Sequence, residues 1–161
     1  MTVHLMKNIP LNTMIDEIDK VILNELSADA RMPLKEIGLK CQLSPTAVHQ
    51  RIRKMEEQGI IKGAKLLIDP EKLGYQTMAY IGIYLEKAEF YKAARDQLSK
   101  LDEVVECSYT TGDYSLLIKI FCKDNRHLME LLSVKIQSIK GVSRTDTLIC
   151  LEHAFERPLS L

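Results

Sequence analysis

Hydrogen-bonding and cationic side chains are concentrated in one short stretch of the sequence, residues 44–54. A glutamine side chain can pair with the edge of a DNA base, and arginine or lysine can reach guanine or a phosphate. These residue types therefore suit contact with double-stranded DNA, and the alternative is a solvated helix face with ordinary surface charges. The candidate DNA-binding residues are Ser44, Thr46, His49, Gln50, Arg51, Arg53 and Lys54.

The charge distribution sets this stretch apart from the rest of the chain. The 161 residues have a formal net charge of zero. Residues 31–68 contain eight bases and three acids, which gives +5, whereas residues 1–30 give −3 and residues 69–161 give −2. A basic module within a neutral chain predicts an anionic partner for that module.

No arrangement of residues typical of an enzyme or a metal site accompanies these cations. Ser115, His127 and Asp113 do not form a hydrolase signature. His4, His127 and His153 have no companions at the spacing of metal ligands. We therefore expect no catalytic residue, no metal and no cofactor, and we interpret the protein as a non-enzyme.

Composition points to a globular protein without a membrane segment. No apolar run reaches the length of a transmembrane helix, and residues 1–13 lack the features of a signal peptide. We expect a cytoplasmic location. The four cysteines occupy apolar patterns, which favours buried free thiols: Cys41, Cys107, Cys122 and Cys150.

Three helices are predicted to position the basic stretch. Apolar residues at helical spacing predict a first helix over roughly 14–29 and a short second helix over about 34–41. Ser44 is a suitable N-cap and Pro45 a suitable first residue for a third helix, which should end near Gly59. A short helix, a tight turn and a capped helix form the helix-turn-helix pattern.

The third helix is predicted to have one buried and one exposed face. Val48, Ile52 and Met55 fall on one side of the helical wheel and should pack against the other helices. The opposite side then exposes Thr46, Gln50, Arg53 and Glu57, with Lys54 beside them and His49 and Arg51 on the flanks. Arg51 could instead be structural, tied to an acid of the first helix such as Glu17 or Glu25.

The second half of the chain has a different pattern. Ile60–Ile68 reads as a strand and is followed by a linker containing Pro70 and Gly74. From Met78 onward, two strand-helix-strand units follow each other, which predicts a ferredoxin-like β-α-β-β-α-β domain. The predicted divisions are a helix-turn-helix domain at 1–60, a strand and linker at 61–76, and the ferredoxin-like domain at 77–161.

One face of the predicted sheet has no helix to cover it. The two helices of the second domain can cover only one side, yet Tyr80 and Tyr84 alternate with Ile81 and Leu85 on the first strand. Large groups therefore point to both faces. We expect a second protomer to cover the open face, which predicts a homodimer.

These segments together resemble the Lrp/AsnC family of bacterial and archaeal feast/famine transcription regulators. The resemblance covers nearly the whole chain from about residue 15 to residue 152. The specificity lies in the combination of segments, which includes the acidic-apolar start Asp16–Leu23, the turn Leu43–Thr46, the run Arg51–Ile61 and the later runs Thr111–Tyr114 and Thr145–Thr147. The family implies an α+β fold with an N-terminal winged-type helix-turn-helix and a C-terminal ACT-like (RAM) domain.

The resemblance implies further properties. Family members bind DNA as dimers, often assemble into octamers, and commonly bind a free amino acid between dimers, near a Gly-Asp-aromatic turn. The domain at 77–161 would then be the effector-binding and oligomerisation domain. Carried over to this chain, the effector-binding residues would be Thr110, Thr111, Gly112, Asp113 and Tyr114, with Thr145 and Thr147 as further candidates. Ser115 stands where many members have a second acid. A plain hairpin turn is the alternative.

Two rival functions fit the same fold. Decarboxylases of the haem pathway share this two-domain plan, but they would be expected to bring histidines and arginines together around a porphyrin. A metabolite-sensing assembly module that does not bind DNA would be expected to lack the cations of the third helix. The sequence favours a sequence-specific DNA-binding transcription regulator modulated by a small amino acid.

Overall fold

The computed structural model describes residues 15–161, which form two compact units. The first contains the described residues up to Leu66 together with Glu156–Leu161, and the second spans Leu67–Phe155. The C-terminal segment joins the first unit because Asn24 exchanges two hydrogen bonds with the backbone of Leu161, at 3.1 and 3.2 Å. The predicted division placed this segment in the second domain.

The first unit contains three helices, α1 (Glu17–Ala28), α2 (Leu34–Cys41) and α3 (Pro45–Glu57). A capping box starts α1, since the Asp16 carboxylate accepts from the Asp19 N–H and the Asp19 carboxylate accepts from the Asp16 N–H. The helices enclose a small apolar core of Ile22, Leu23, Ile37, Val48 and Met55. The three predicted helices are therefore present, with ends that differ by a few residues.

The predicted strand Ile60–Ile68 is wrong for this structure, because residues 61–69 have no regular secondary structure. A strand requires a neighbouring strand to receive its backbone hydrogen bonds, and the described chain offers none here. Leu66, Leu67 and Ile68 are exposed by 70%, 92% and 58%. The β-branched and apolar composition predicted the strand without showing what it would pair with.

The second unit follows the predicted order of strands and helices. A 3₁₀ turn at Glu71–Leu73 precedes β1 (Thr77–Leu85), and a second one at Ala88–Phe90 leads into α4 (Tyr91–Leu98). Then come β2 (Val104–Tyr109), β3 (Leu116–Cys122), α5 (Asn125–Glu130) with its π-helical continuation Leu131–Ile136, and β4 (Val142–Ile149). Asp124 caps α5 by accepting from the His127 N–H at 2.8 Å.

The four strands form one antiparallel sheet in the order β2-β3-β1-β4. Ile81, Ile83 and Ile118 are fully buried with residues of α4 and of the α5 segment, so these helices cover one sheet face. The side chains of Tyr80 and Tyr84 alternate with them and point to the other face. No helix of the second unit, Leu67–Phe155, covers that face, which we call the open face.

The expectation that the cysteines are buried needs adjustment. All four cysteines are free, but only Cys122 is buried; Cys107 is exposed on the edge strand β2. Edge position explains the difference, because one side of β2 has no neighbouring strand. Among residues 15–161, no helix is both long enough and apolar enough to cross a membrane.

Candidate functional site

The start of α3 is fixed in the predicted manner. The Ser44 hydroxyl accepts from the Ala47 N–H at 3.2 Å, and Pro45 occupies the first helical turn, where no N–H donor is needed. Val48 and Met55 are buried at 0% and 1% exposure. The cap and the buried side therefore confirm which face of α3 turns outward.

The outward face of α3 displays the predicted polar set. Within residues 15–161, Gln50 and Lys54 are exposed without side-chain partners, and Arg53 forms an ion pair with Glu57 at 3.0 Å. Both members of that pair are more than 60% exposed, so the pair is weak and can exchange for a phosphate. The exposed residues that the structure brings together here are Ser44, Thr46, His49, Gln50, Arg53 and Lys54.

Arg51 does not belong to that face. Its guanidinium donates to Asp16 at 2.7 Å and to Asp19 at 2.8 Å, so it joins α3 to the capping box of α1. The structural interpretation of Arg51 is therefore supported, but with other acids than Glu17 and Glu25. The paired Arg51 is two-thirds covered, which argues against its place among the DNA-binding residues.

The turn between α2 and α3 sets the angle at which α3 is presented. Gln42 has φ 55° and ψ 40°, a left-handed conformation in which glycine is the usual residue. Gly38 lies so close to the turn that a Cβ would approach the Leu43 carbonyl oxygen to 2.5 Å. Gln42 thus occupies a position where glycine is usual, whereas the glycine that the close approach requires is Gly38, four residues earlier.

The candidate effector turn connects β2 to β3. Thr111, Gly112 and Asp113 are exposed, and Gly112 has φ 123°. The Thr110 hydroxyl donates to the Tyr114 carbonyl at 2.6 Å and closes the turn. Asp113 has no side-chain partner among the described residues, so its carboxylate is available to an ammonium group.

The two threonines of β4 lie on the other side of the sheet from Tyr114. Thr145 pairs with Ile83 and Thr147 with Ile81, so both point to the helix-covered face. Thr147 lines a groove of about 500 Å³ between the α5 segment and β4. The Tyr114 ring instead lies against Gly82 on the open face. Within one chain, the seven effector candidates are therefore not brought together.

A polar cluster near the turn was missed by the sequence analysis. Tyr84, Arg144 and Asp146 are joined by three hydrogen bonds of 2.7–2.9 Å on the open face. Arg144 and Asp146 lie two residues apart in β4 and therefore share a face, which was the signal available in the sequence. Their meeting with Tyr84 depends on the register of β4 against β1, which the sequence pattern does not specify.

His127 has the structural role that its isolation in the sequence favoured. Its Nε2 lies 3.1 Å from Glu103, and its Nδ1 accepts from the Lys123 N–H at 3.3 Å. Lys135 donates to the same Glu103 carboxylate at 2.9 Å. His4 lies outside the described residues. No group of three His, Cys, Asp or Glu side chains within residues 15–161 could hold a metal ion.

The helix-turn-helix and the four-stranded domain each match a known family. Residues 15–56 match the AsnC-type helix-turn-helix domain, and residues 78–159 match the Lrp/AsnC ligand binding domain. The chain therefore belongs to the Lrp/AsnC family of transcription regulators, and the fold is the α+β fold expected from the sequence.

Individual relatives agree with this assignment. The regulatory protein AsnC of Haemophilus influenzae is 41% identical over 145 residues, covering 90% of this chain and 97% of that protein. The structure of Escherichia coli AsnC superimposes with a TM-score of 0.86 at 39% identity, covering 91% and 99% of the two chains. A feast or famine regulatory protein from Mycobacterium tuberculosis, solved with L-methionine, has a TM-score of 0.82 at 30% identity, covering 88% and 95%.

Proposed function

We propose that this regulator reads DNA with the exposed face of α3, acts as a homodimer, and responds to a small amino acid bound near Thr110–Tyr114. The single observation that carries the DNA proposal is the capped, outward-facing helix with unpaired Gln50 and Lys54. A helix of this kind can enter the major groove with its first turns at the base edges. DNA binding also implies the cytoplasmic location expected from the sequence.

The DNA face is tested by charge removal. Arg53→Ala should weaken DNA binding, because Arg53 is exposed on the outward face and its pairing with Glu57 is exchangeable. If each of two modules neutralises about three phosphates, the logarithm of affinity should fall with the logarithm of salt at a slope of roughly −5, and less steeply in the variant. Gel shifts and fluorescence anisotropy at several salt concentrations measure both.

A matched control separates a local effect from a general loss of charge. Lys92→Ala removes one positive charge from an exposed position on α4 and should leave the affinity and the salt slope nearly unchanged. Equal losses in the two variants would contradict the assignment of the α3 face. Absence of any DNA binding by the parent chain would favour a metabolite-sensing assembly module instead.

The dimer is supported by the open sheet face. Leu148 is 59% exposed there beside its pairing partner, the half-buried Tyr80, and neighbouring exposed apolar groups on a sheet face favour coverage by a partner. A two-fold dimer would also place two α3 helices on half-sites about 34 Å apart. Octamers, by contrast, rest on the family resemblance alone.

Sedimentation tests the dimer with a pair of variants. Leu148→Glu puts a charge on the open face and should yield the 18.4 kDa monomer at micromolar concentration. Met129→Glu makes the same kind of change on α5, where the side chain is 65% exposed, and should remain dimeric. A monomeric parent protein, or a Leu148→Glu variant that stays dimeric, would argue against this interface.

The effector proposal is supported by the geometry of the turn. Asp113 offers a free carboxylate for an α-ammonium group, and the exposed backbone around Gly112 allows close approach of an α-carboxylate. Since Thr145 and Thr147 face the other side of the sheet, a site containing all the candidates requires a second chain. The family resemblance likewise implies an effector site between dimers.

Thermal shift with the twenty amino acids tests this proposal, beginning with L-methionine. A ligand at about one hundred times its Kd stabilises the folded state by about 2.7 kcal/mol. Asp113→Ala should abolish the shift and leave DNA binding by the free protein intact. The control Asp102→Ala removes another exposed carboxylate and should keep the shift. No shift with any amino acid at millimolar concentration would refute the effector role.

A further inference from the structure

The polar cluster on the open face is fully paired. The Tyr84 hydroxyl donates its single proton to Asp146 at 2.9 Å and accepts from Arg144 at 2.7 Å. Arg144 also donates to Asp146 at 2.8 Å, and its guanidinium lies over the Tyr84 ring at 4.2 Å from the centroid. Three mutual hydrogen bonds and a cation–π contact therefore hold the Tyr84 ring in one orientation.

The protonation states of the cluster are well defined near neutral pH. Hydrogen bonds from Arg144 and Tyr84 lower the pKa of Asp146, so the carboxyl is ionised. Burial and the neighbouring Asp146 raise the pKa of Tyr84, so the phenol keeps its proton. The donor and acceptor roles therefore persist across the neutral range.

The Tyr84 ring in turn contacts Tyr114, the last residue of the candidate effector turn. The two rings meet edge to face, with centroids 5.3 Å apart and planes at 78°. On its other side, the Tyr114 ring lies on the backbone of Gly82, where a Cβ would be 2.3 Å from the ring. Tyr114 is thus held between a fixed aromatic ring and a strand position that must lack a side chain.

Tyr114 is also part of the hydrogen bonding that closes the turn. Its carbonyl accepts from the Thr110 hydroxyl, and the next N–H, of Ser115, donates to Ile83 at 2.9 Å. The Thr110 N–H donates to the Ser115 carbonyl at 3.3 Å. The backbone of Tyr114 therefore closes the turn while its ring packs on the open face, so an anchored ring restrains the turn.

We propose that Tyr84, oriented by Asp146 and Arg144, is a positioning residue that fixes Tyr114 and with it the conformation of the turn Thr110–Tyr114. The proposal deepens the proposed effector function, on which its consequence for ligand binding rests. Because the cluster lies on the open face, it also joins the turn to the surface assigned to the dimer.

Hydrogen exchange of the ligand-free full-length protein tests the positioning role. Tyr84→Phe keeps the ring and removes only the hydroxyl that binds Asp146 and Arg144. Hydrogen bonds to charged partners contribute enough that turn opening should become roughly tenfold more frequent. The Thr110 and Ser115 amides should therefore exchange faster, while the amide of Ile118, in the middle of β3, should keep its parent rate.

The matched control is Tyr80→Phe. Tyr80 is half-buried on the same strand and the same face, four residues before Tyr84, and its hydroxyl has no partner among residues 15–161. Faster exchange in Tyr84→Phe alone supports the proposal. Unchanged exchange in Tyr84→Phe, or equal acceleration in both variants, overturns it. Gly82→Ala, which displaces the Tyr114 ring directly, should reproduce the acceleration with the hydroxyl network intact.

Ligand affinity separates this proposal from the effector function. With L-methionine, or with whichever amino acid stabilises the parent most, Tyr84→Phe should bind roughly three- to tenfold more weakly and Tyr80→Phe equally well. If no amino acid stabilises the parent, the effector function fails, and the exchange rates alone decide the positioning role. Equal ligand affinity in parent and Tyr84→Phe overturns the contribution of Tyr84 to ligand binding.

Discussion

Replacing Gly38 by alanine should destabilise the helix-turn-helix unit, although alanine is the better helix former. The new methyl group would lie 2.5 Å from the Leu43 carbonyl oxygen, so the turn would have to open by several tenths of an ångström. The Leu43 N–H donates to the Gly38 carbonyl at 2.9 Å and resists that opening. Gly38 is also buried, so there is no solvent into which the methyl can turn.

The expected magnitude follows from three opposing contributions. Alanine gains about 1 kcal/mol of helix propensity over glycine. Overpacking costs about 1–3 kcal/mol, and a weakened hydrogen bond costs about 1 kcal/mol. The net loss is then about 1–3 kcal/mol. Because the turn sets the angle of α3, DNA affinity should fall as well.

Gln42→Gly is the matched comparison, because it introduces a glycine into the same turn. Gln42 is exposed, and its left-handed conformation costs about 1–2 kcal/mol for a residue with a side chain. Gln42→Gly removes that cost but adds about 0.5–1 kcal/mol of flexibility to the unfolded chain. A net stabilisation of about 0.5–1 kcal/mol is expected.

Urea unfolding, followed by the circular dichroism signal of the helices, measures the free energy of unfolding of both variants. The two substitutions should change stability in opposite directions: loss of the glycine at position 38 weakens the unit, and gain of a glycine at position 42 strengthens it. Gly38→Ala with parental or greater stability would show that the turn relaxes freely. Destabilisation by Gln42→Gly would show that the glutamine side chain makes a contribution that the structure does not reveal.

Further outcomes follow from the buried and paired groups. Arg51→Ala should lower the free energy of unfolding in urea by about 1–3 kcal/mol, because it leaves the buried Asp19 without its cation. Arg53→Ala, on the exposed face of α3, should change it by less than about 0.5 kcal/mol. The Asp19 N–H and Arg51 lower the pKa of Asp16 in the folded protein. The contribution of Asp16 to folding stability is therefore complete above its unfolded pKa of about 4 and is lost as pH falls through the lower pKa of the folded state. Stability should accordingly fall less steeply with acid in Arg51→Ala than in the parent. Burial raises the pKa of Cys122 to about 11, so a thiol reagent at neutral pH should modify it only after denaturation.

The sequence was sufficient for features that depend on local rules. Helical periodicity, the Ser44 cap and the Pro45 start located α3, and the inward position of Val48 and Met55 followed from the helical wheel. Alternation and turn residues likewise located the four strands of the second unit. Each of these signals depends on residues within a single helix or strand, so the sequence of that element is enough to predict it.

Features that depend on pairing between distant elements were not recoverable in the same way. Arg51 was a DNA-binding candidate, with an ion pair to Glu17 or Glu25 as the alternative, and the structure pairs it with Asp16 and Asp19 of the capping box instead. The strand predicted at Ile60–Ile68 had the composition of a strand without a partner to pair with. The meeting of Tyr84 with Arg144 and Asp146 requires the register of β4 on β1.

The alternation of β4 gives a physical route by which the two proposed roles of the second unit can influence each other. Thr145 and Thr147 point to the helix-covered face, and Arg144 and Asp146 point to the open face, because successive side chains of a strand alternate. β4 is also an edge strand, paired on one side only with β1. An edge strand has fewer hydrogen bonds to restrain it, so a ligand that shifts the threonines also shifts the residues that orient Tyr84. Effector binding and dimer contact would then act on the same eight-residue strand from opposite faces.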